Sequence, residues 1–159
     1  MGIRIGFGVD FHQLAEGRPL MIGGVHIPHV KGSVGHSDAD VLLHAICDAA
    51  LGAAALGDIG VHFPDTDNSF KNIDSKVLLQ RTMELVKKKG YKVVNIDSTL
   101  CLEEPKIKNY VSRMQETIAS IVGIEIGDVS IKATTSEKMG FVGREEGLVA
   151  YAAILLETI

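Results

Sequence analysis

The sequence predicts an α+β fold of the α/β-sandwich kind: a mixed β-sheet with helices packed on one face, in a single domain spanning 1–159. Three observations predict it. Period-two and period-3.6 apolar patterns alternate along the chain. No repeat or linker separates them. A length of 159 residues with 46% apolar composition suffices for one core. Aromatic residues make up only 5%, so that core is aliphatic.

The elements follow in order. Ile3, Ile5, Phe7 and Val9 alternate with Arg4, Gly6, Gly8 and Asp10, as in a strand. Leu20-Met21-Ile22 and Val25-His26-Ile27 flank Gly23-Gly24, a two-residue hairpin signal. Lys31 to Gly35 reads as loop. Ser37 is placed to cap a helix, with Asp40 as a capping-box variant. Val41, Leu42, Ala45, Ile46, Ala49 and Ala50 form that helix's apolar face, running to about Leu56. Gly57 to Lys71 is a polar loop, long enough to suggest a functional one. A second helix from about Ser75 to Lys89 turns Leu78, Thr82, Leu85 and Val86 inward. Its Lys87-Lys88-Lys89 run lies in the last turn before Gly90, where the helix dipole favours cations, and needs no binding role. Tyr91 to Leu102 reads as a strand. Pro105 opens a third helix with Ile107, Tyr110, Val111, Met114, Ile118 and Ile121 on one face, closed by Gly123. Val129, Ile131 and Ala133 alternate along another strand, and Leu148 to Leu156 is a buried final one. Helices on one face leave the other sheet face to be covered, and self-association is the usual means.

Composition excludes several classes. A net charge of −4 without a basic stripe argues against a nucleic-acid partner. No apolar run approaches the roughly 18 residues of a membrane span. Met1-Gly2-Ile3-Arg4-Ile5 carries neither a signal-peptide nor a myristoylation pattern. Cys47 and Cys101 form no metal-type pair and read as buried small hydrophobes in a reducing compartment, so the expected location is cytoplasmic.

Four places could carry chemistry. Asp10 and His12 share the strand face opposite Ile3, Ile5, Phe7 and Val9, which Gly6 and Gly8 should leave uncrowded. His44 lies near the start of the first long helix. One carboxylate and two imidazoles suit zinc and leave a fourth position for substrate; taken singly, each is more often a hydrogen-bonded polar group. His36-Ser37, at a helix start, suits an anion or simply faces water. Asp58-Ile59-Gly60 and Phe63-Pro64-Asp65-Thr66-Asp67 put carboxylates in one loop, fit for hydroxyls or for a solvated turn. Ala133-Thr134-Thr135-Ser136-Glu137-Lys138, at a strand end, suits phosphate and a hard divalent ion, unless Glu137 is only a surface residue. Together these suit phosphoryl chemistry.

In this order the segments closely resemble the 2-C-methyl-D-erythritol 2,4-cyclodiphosphate synthase family over nearly the whole chain. The resemblance rests on Arg4-Ile5-Gly6 with Asp10-Phe11-His12, and on His36-Ser37-Asp38-Ala39-Asp40-Val41-Leu42-Leu43-His44-Ala45. It continues through Gly57-Asp58-Ile59-Gly60, Phe63 to Asp67, Pro105-Lys106, and Ala133 to Lys138 with Gly140-Phe141 and Arg144. It implies cyclisation of a cytidine diphosphate ester of methylerythritol 2-phosphate with release of CMP, in the non-mevalonate isoprenoid route. It further implies zinc on Asp10, His12 and His44, one per subunit, and magnesium or manganese on Glu137 with the substrate. His36 and Thr135 would stabilise the transition state. Ser37, Asp58, Ile59, Gly60 and Phe63, Pro64, Asp65, Thr66, Asp67 would hold the methylerythritol part. The segment Leu102 to Lys108, with Pro105, Lys106 and Ile107, would line the cytidine and phosphate side along with Thr134, Ser136, Phe141 and Arg144. The family is a homotrimer with sheets facing each other and active sites between subunits; Arg144 and Glu146 match positions near the anion-binding end of its threefold channel. Ala39 departs from a frequent glycine, Val61 from a basic residue, Phe7 from a histidine and Ser136 from a threonine, and Leu102-Glu103-Glu104 is variable in the family. Two rival readings stay open: a metal-dependent phosphohydrolase, and a non-catalytic trimeric module whose metal is structural.

Overall fold

A computed structural model describes residues 2–159; Met1, the first residue of the segment read for targeting signals, lies outside them. The elements are β1 (Ile3–Glu16), β2 (Leu20–Ile22), β3 (Val25–Ile27), β4 (Lys31–Val34), α1 (Val41–Ala53), α2 (Ile59–His62), α3 (Ser75–Lys88), β5 (Tyr91–Cys101), α4 (Val111–Val122), β6 (Val129–Thr134), α5 (Gly140–Gly143) and β7 (Gly147–Thr158). Five strands form one sheet in the order β4-β1-β7-β5-β6. Only β5 and β6 run parallel, so the sheet is mixed, as expected. The β2–β3 hairpin stands apart from it.

The helices lie on one face. Along β1 and β7 the register Gly8↔Ala152 and Asp10↔Ala150 puts these residues toward the helices. Leu42, Ile46, Leu79, Ile96, Leu100, Met114, Ile118 and Leu156 fill the layer between and are fully buried. Gly6 and Gly8 do the reverse of leaving this face uncrowded. A Cβ at Gly6 would fall 1.8 Å from the Ala49 carbonyl oxygen, and one at Gly8 2.0 Å from that of Ala45. Helix α1 therefore rests directly on β1, and only glycine permits it. On the opposite face Ile5 is 79% and Phe7 65% exposed, and Ile3, Phe11 and Tyr151 are exposed beside them. None of the described helices is long and apolar enough to cross a membrane.

Several local expectations are corrected. Lys31–Val34, read within a loop, is a strand paired with the second half of β1, from Gln13↔Val34 to Glu16↔Lys31. It shows no apolar alternation because tertiary pairing, not burial of one face, holds it. Asp40, not Ser37, caps α1: its Oδ1 accepts from Leu43 N–H at 3.1 Å. Ser37 Oγ instead accepts from Ala39 N–H, and Ala39 at φ 57° keeps the chain from becoming helical before Val41. The helix stops at Ala53 rather than near Leu56, where Ala55 turns to φ 56°. Pro105 does not open α4; it lies in the loop after β5, and α4 starts at Val111 behind a 3₁₀ turn at Lys108–Tyr110. The polar loop from Gly57 to Lys71 contains α2 and a 3₁₀ turn at Asn68–Phe70. Cys47 is buried as expected, whereas Cys101 is only partly so.

Candidate metal centre

Close packing of α1 on β1 brings three donors to one point. Asp10 Oδ2 lies 2.8 Å from His12 Nε2 and 3.3 Å from His44 Nδ1, and the two ring nitrogens are 3.3 Å apart. Ligands at ~2.0–2.1 Å from a tetrahedral ion stand ~3.3 Å from one another, close to this triangle. Asp10 Oδ2 is buried and finds no hydrogen bond of proper geometry. An acceptor with no donor, faced by two ring nitrogens, fits a divalent cation.

The rings are held from behind. The Val34 carbonyl accepts from His12 Nδ1–H at 3.0 Å, which leaves the Nε2 lone pair facing Asp10. His44 Nε2 lies 2.8 Å from Ser75 Oγ and 3.1 Å from Ser37 Oγ, so its proton sits there and Nδ1 faces the cluster. Ser75 in turn donates its hydroxyl to Asp38 Oδ1, and its N–H to Asp38 Oδ2 at 3.1 Å. Helix α3 is thereby tied to the start of α1. Burial pushes the Asp10 carboxyl up, but the two imidazoles outweigh it and hold the group below the usual carboxylate range. Burial likewise pushes His12 down, and Asp10 beside it reverses the sign, leaving its pKa above the ordinary value. Asp40 is fully buried and satisfied by the N–H groups of Gly23, Gly24 and Leu43, so it ties the hairpin to the helix that carries His44.

A cavity of about 330 Å³ opens beside the cluster. It is lined by Asp10, His12, His36, Ser37, His44, Ile59, Gly60, Phe63, Pro64 and Asp65, and also by Gly35, Phe70, Ile73 and Leu78. His36 Nε2–H donates to the Asp67 carbonyl at 3.2 Å. Asp58 and Asp67 turn their carboxylates to backbone N–H groups of Val61 and Ser69, and Thr66 is exposed. Asp48, one turn after His44, accepts from Ile59 N–H at 2.8 Å and so fastens the cavity wall to α1. Asp38, Asp48, Ser75 and Val34 were not singled out for the site from sequence. Asp48 gave a usable signal, four residues after His44 on the same face; Val34 and Ser75 gave none.

The remaining predicted residues lie elsewhere in the chain. Leu102, Pro105, Lys106, Ile107, Thr134 and Thr135, with Ala133, line a second cavity of about 160 Å³. Lys108, Glu137 and Arg144 are exposed, Ser136 half-buried. Arg144 Nε donates to Glu146 at 2.7 Å, and Phe141 packs near Phe11 with ring centroids 6.1 Å apart. The two cavities share no residue. Strands β7 and β5 stand between β1 and β6, three strand spacings or ~14 Å. Within one chain, Thr135 and Glu137 are not brought to the metal cluster.

Comparison with known proteins bears on this arrangement. The YgbB family profile matches residues 3–157. A 2-C-methyl-D-erythritol 2,4-cyclodiphosphate synthase of Bacteroides thetaiotaomicron is 61% identical over 157 residues, 99% of each chain. The enzyme of the same name from Syntrophobacter fumaroxidans is 57% identical over 156 residues, 98% of each. Among solved structures, the bifunctional IspDF of Campylobacter jejuni superposes with a TM-score of 0.96 at 42% identity; the match covers 99% of this chain and 43% of that longer one. The CDP complex of Plasmodium falciparum IspF gives 0.86 at 34% identity, covering 99% and 97%.

Proposed function

The chain belongs to the YgbB family, and from that membership we propose its reaction: conversion of 4-diphosphocytidyl-2-C-methyl-D-erythritol 2-phosphate to 2-C-methyl-D-erythritol 2,4-cyclodiphosphate and CMP. In the step itself, an oxygen of the 2-phosphate forms a bond to the β-phosphorus. The bond from that phosphorus to the oxygen bridging to CMP breaks, and CMP leaves with the electron pair. No proton has to be removed, because the nucleophile is already an anion.

The observation that carries this reading is the Asp10–His12–His44 triangle beside a cavity large enough for a small phosphorylated polyol. Asp10, His12 and His44 would hold a zinc ion, and Glu137 a magnesium or manganese ion shared with the diphosphate. Bound there, such ions supply Lewis acidity and charge neutralisation for the phosphates. The chain's own residues do the rest. Ser37, Asp58, Ile59, Gly60 and Phe63 to Asp67 fold the methylerythritol part over the cluster. His36 and Thr135 donate to phosphate oxygens as charge builds. Leu102, Pro105, Lys106, Ile107, Lys108, Thr134 and Ser136, with Phe141 and Arg144, receive the cytidine and its phosphates. Holding both ends of one molecule makes the attack intramolecular, which is a large share of the acceleration.

Thr135 and Glu137 acting on the same diphosphate as the Asp10–His12–His44 triangle would need the two cavities to come from different copies. We therefore read the enzyme as a cytoplasmic homotrimer, one domain per chain, with active sites between subunits. The bare apolar face of β1 and β7 supports this, since Ile5 and Phe7 are far too exposed for a lone chain. The test is CMP release from the cytidine diphosphate substrate, with phosphorus NMR of the other product, before and after chelation. A cyclic diphosphate that appears only with metal supports the reading. Linear products would favour a hydrolase, and CMP release untouched by chelation would overturn the metal's part.

A further inference from the structure

The last backbone hydrogen bond between β5 and β6 joins Leu102 N–H to the Thr134 carbonyl at 3.0 Å. Past it the two strands run into separate loops, which form the opposite walls of the smaller cavity. One carboxylate oxygen spans the gap. Glu103 Oε1 accepts from Ser136 N–H at 2.9 Å and from Lys138 N–H at 3.2 Å. The Ser136 hydroxyl also lies 3.2 Å away, although its nearer acceptor is the Met139 carbonyl at 2.6 Å.

The two N–H groups converge because Glu137 and Lys138 stand at φ 55° and 61°. That left-handed conformation costs an L residue free energy and persists only where its surroundings enforce it. Successive N–H groups in such a turn form a concavity suited to an anion. Here the anion is Glu103. The N–H between them, that of Glu137, goes instead to Thr135 Oγ1 at 3.2 Å. With its lone pair engaged, the Thr135 hydroxyl keeps its own proton for an outside acceptor. Three consecutive N–H groups, of residues 136, 137 and 138, are thus all committed.

We propose that Glu103 is a positioning residue for the reaction: by filling this nest it fixes Thr135 and Glu137 against the Leu102–Ile107 wall and keeps substrate phosphate from lodging in the turn. It touches no reacting atom. The proposal rests on the roles read above for Thr135 and Glu137, and goes beyond them in assigning a cause for their placement. A chain with Glu103→Ala leaves two N–H groups to water and frees the turn. Glu103→Gln keeps a carbonyl oxygen in the nest without the charge.

The experiment has two arms on the zinc-loaded full chain. The first is amide hydrogen exchange of residues 134–140, which needs no substrate. Glu103→Ala should speed it by about tenfold, with Glu103→Gln close to the parent. The second is CMP release titrated with magnesium. Glu103→Ala should need about tenfold more magnesium for half-maximal rate and lose about tenfold in kcat, with zinc content unchanged and Glu103→Gln restoring most of both. Parental exchange in Glu103→Ala overturns the anchor. Faster exchange with parental magnesium dependence and kcat overturns the role in the reaction, leaving a structural tie. A parent chain that releases no CMP would overturn the reaction, and so the positioning claim, while the exchange arm still judges the anchor.

Discussion

The three-donor cluster and the smaller cavity are built on opposite plans. Around Asp10, His12 and His44, both imidazoles have a partner behind them: Val34 for His12, Ser37 and Ser75 for His44, and Asp38 beyond Ser75. The elements that carry them meet on the buried side of the sheet, with α1 seated on two glycines. Around Thr135 and Glu137 the walls are loops, most side chains are exposed, and one carboxylate ties them together. The first region is complete within a single chain. The second is not brought to the cluster by its own chain, and an exposed apolar face lies along β1 and β7. A compact donor set is fixed by packing within one fold, whereas a region walled by loops depends on the few ties that cross it.

The largest effect that could break this contrast is at the cluster. Asp10→Asn or His44→Ala should lower turnover on the order of a thousandfold through loss of metal. Metal analysis of the purified variants, alongside CMP release, checks it; full activity in either would sink the assignment. Thr135→Ala should cost about a hundredfold in turnover with the cluster's metal content intact, separating chemistry at the open region from ion binding at the closed one.

Proton competition sharpens the contrast further. Metal on His12 Nε2 must displace a proton whose affinity Asp10 has raised. Metal affinity should therefore fall by up to about tenfold per pH unit below that raised value. In the metal-free chain the sign is opposite. A raised folded-state value gives stability that is present below the ordinary histidine range and lost as pH rises through the raised one. Isothermal titration with zinc and thermal melts of the metal-free chain, each across pH 6 to 8, should give opposite slopes. The smallest effect expected is at Ala39, held at φ 57° where the family often has glycine. Ala39→Gly should stabilise the chain by about 1 kcal/mol, read as a raised Tm, without changing metal content.

Much of this was legible in the chain. Alternation in Ile3–Val9 marks the strand, although its apolar face is exposed in this chain. The Gly23-Gly24 hairpin follows from turn chemistry and the α3 and α4 stripes from burying one helix face, so local pattern carries them. The ligand types at 10, 12 and 44 stood out for the same reason, since two strand positions on one face and a helix start are local facts. What stayed hidden was held by partners distant in sequence. Strand β4 has no pattern of its own and exists through pairing with β1, yet it supplies the Val34 carbonyl that orients His12. Ser75 reads as an ordinary helix start until α3 packs beside α1.

By itself, then, the amino-acid order determined the element types apart from β4, the mixed sheet with helices on one face, and the donor set able to hold a divalent ion. Those rest on spacing along the chain and on side-chain chemistry, both local. Only the tertiary structure decided that Gly6 and Gly8 draw the helix onto the strand, that Asp10 Oδ2 is left without a hydrogen bond, and that the two cavities lie apart. Each of these depends on the distance between elements, which sterics and packing set and no single segment encodes.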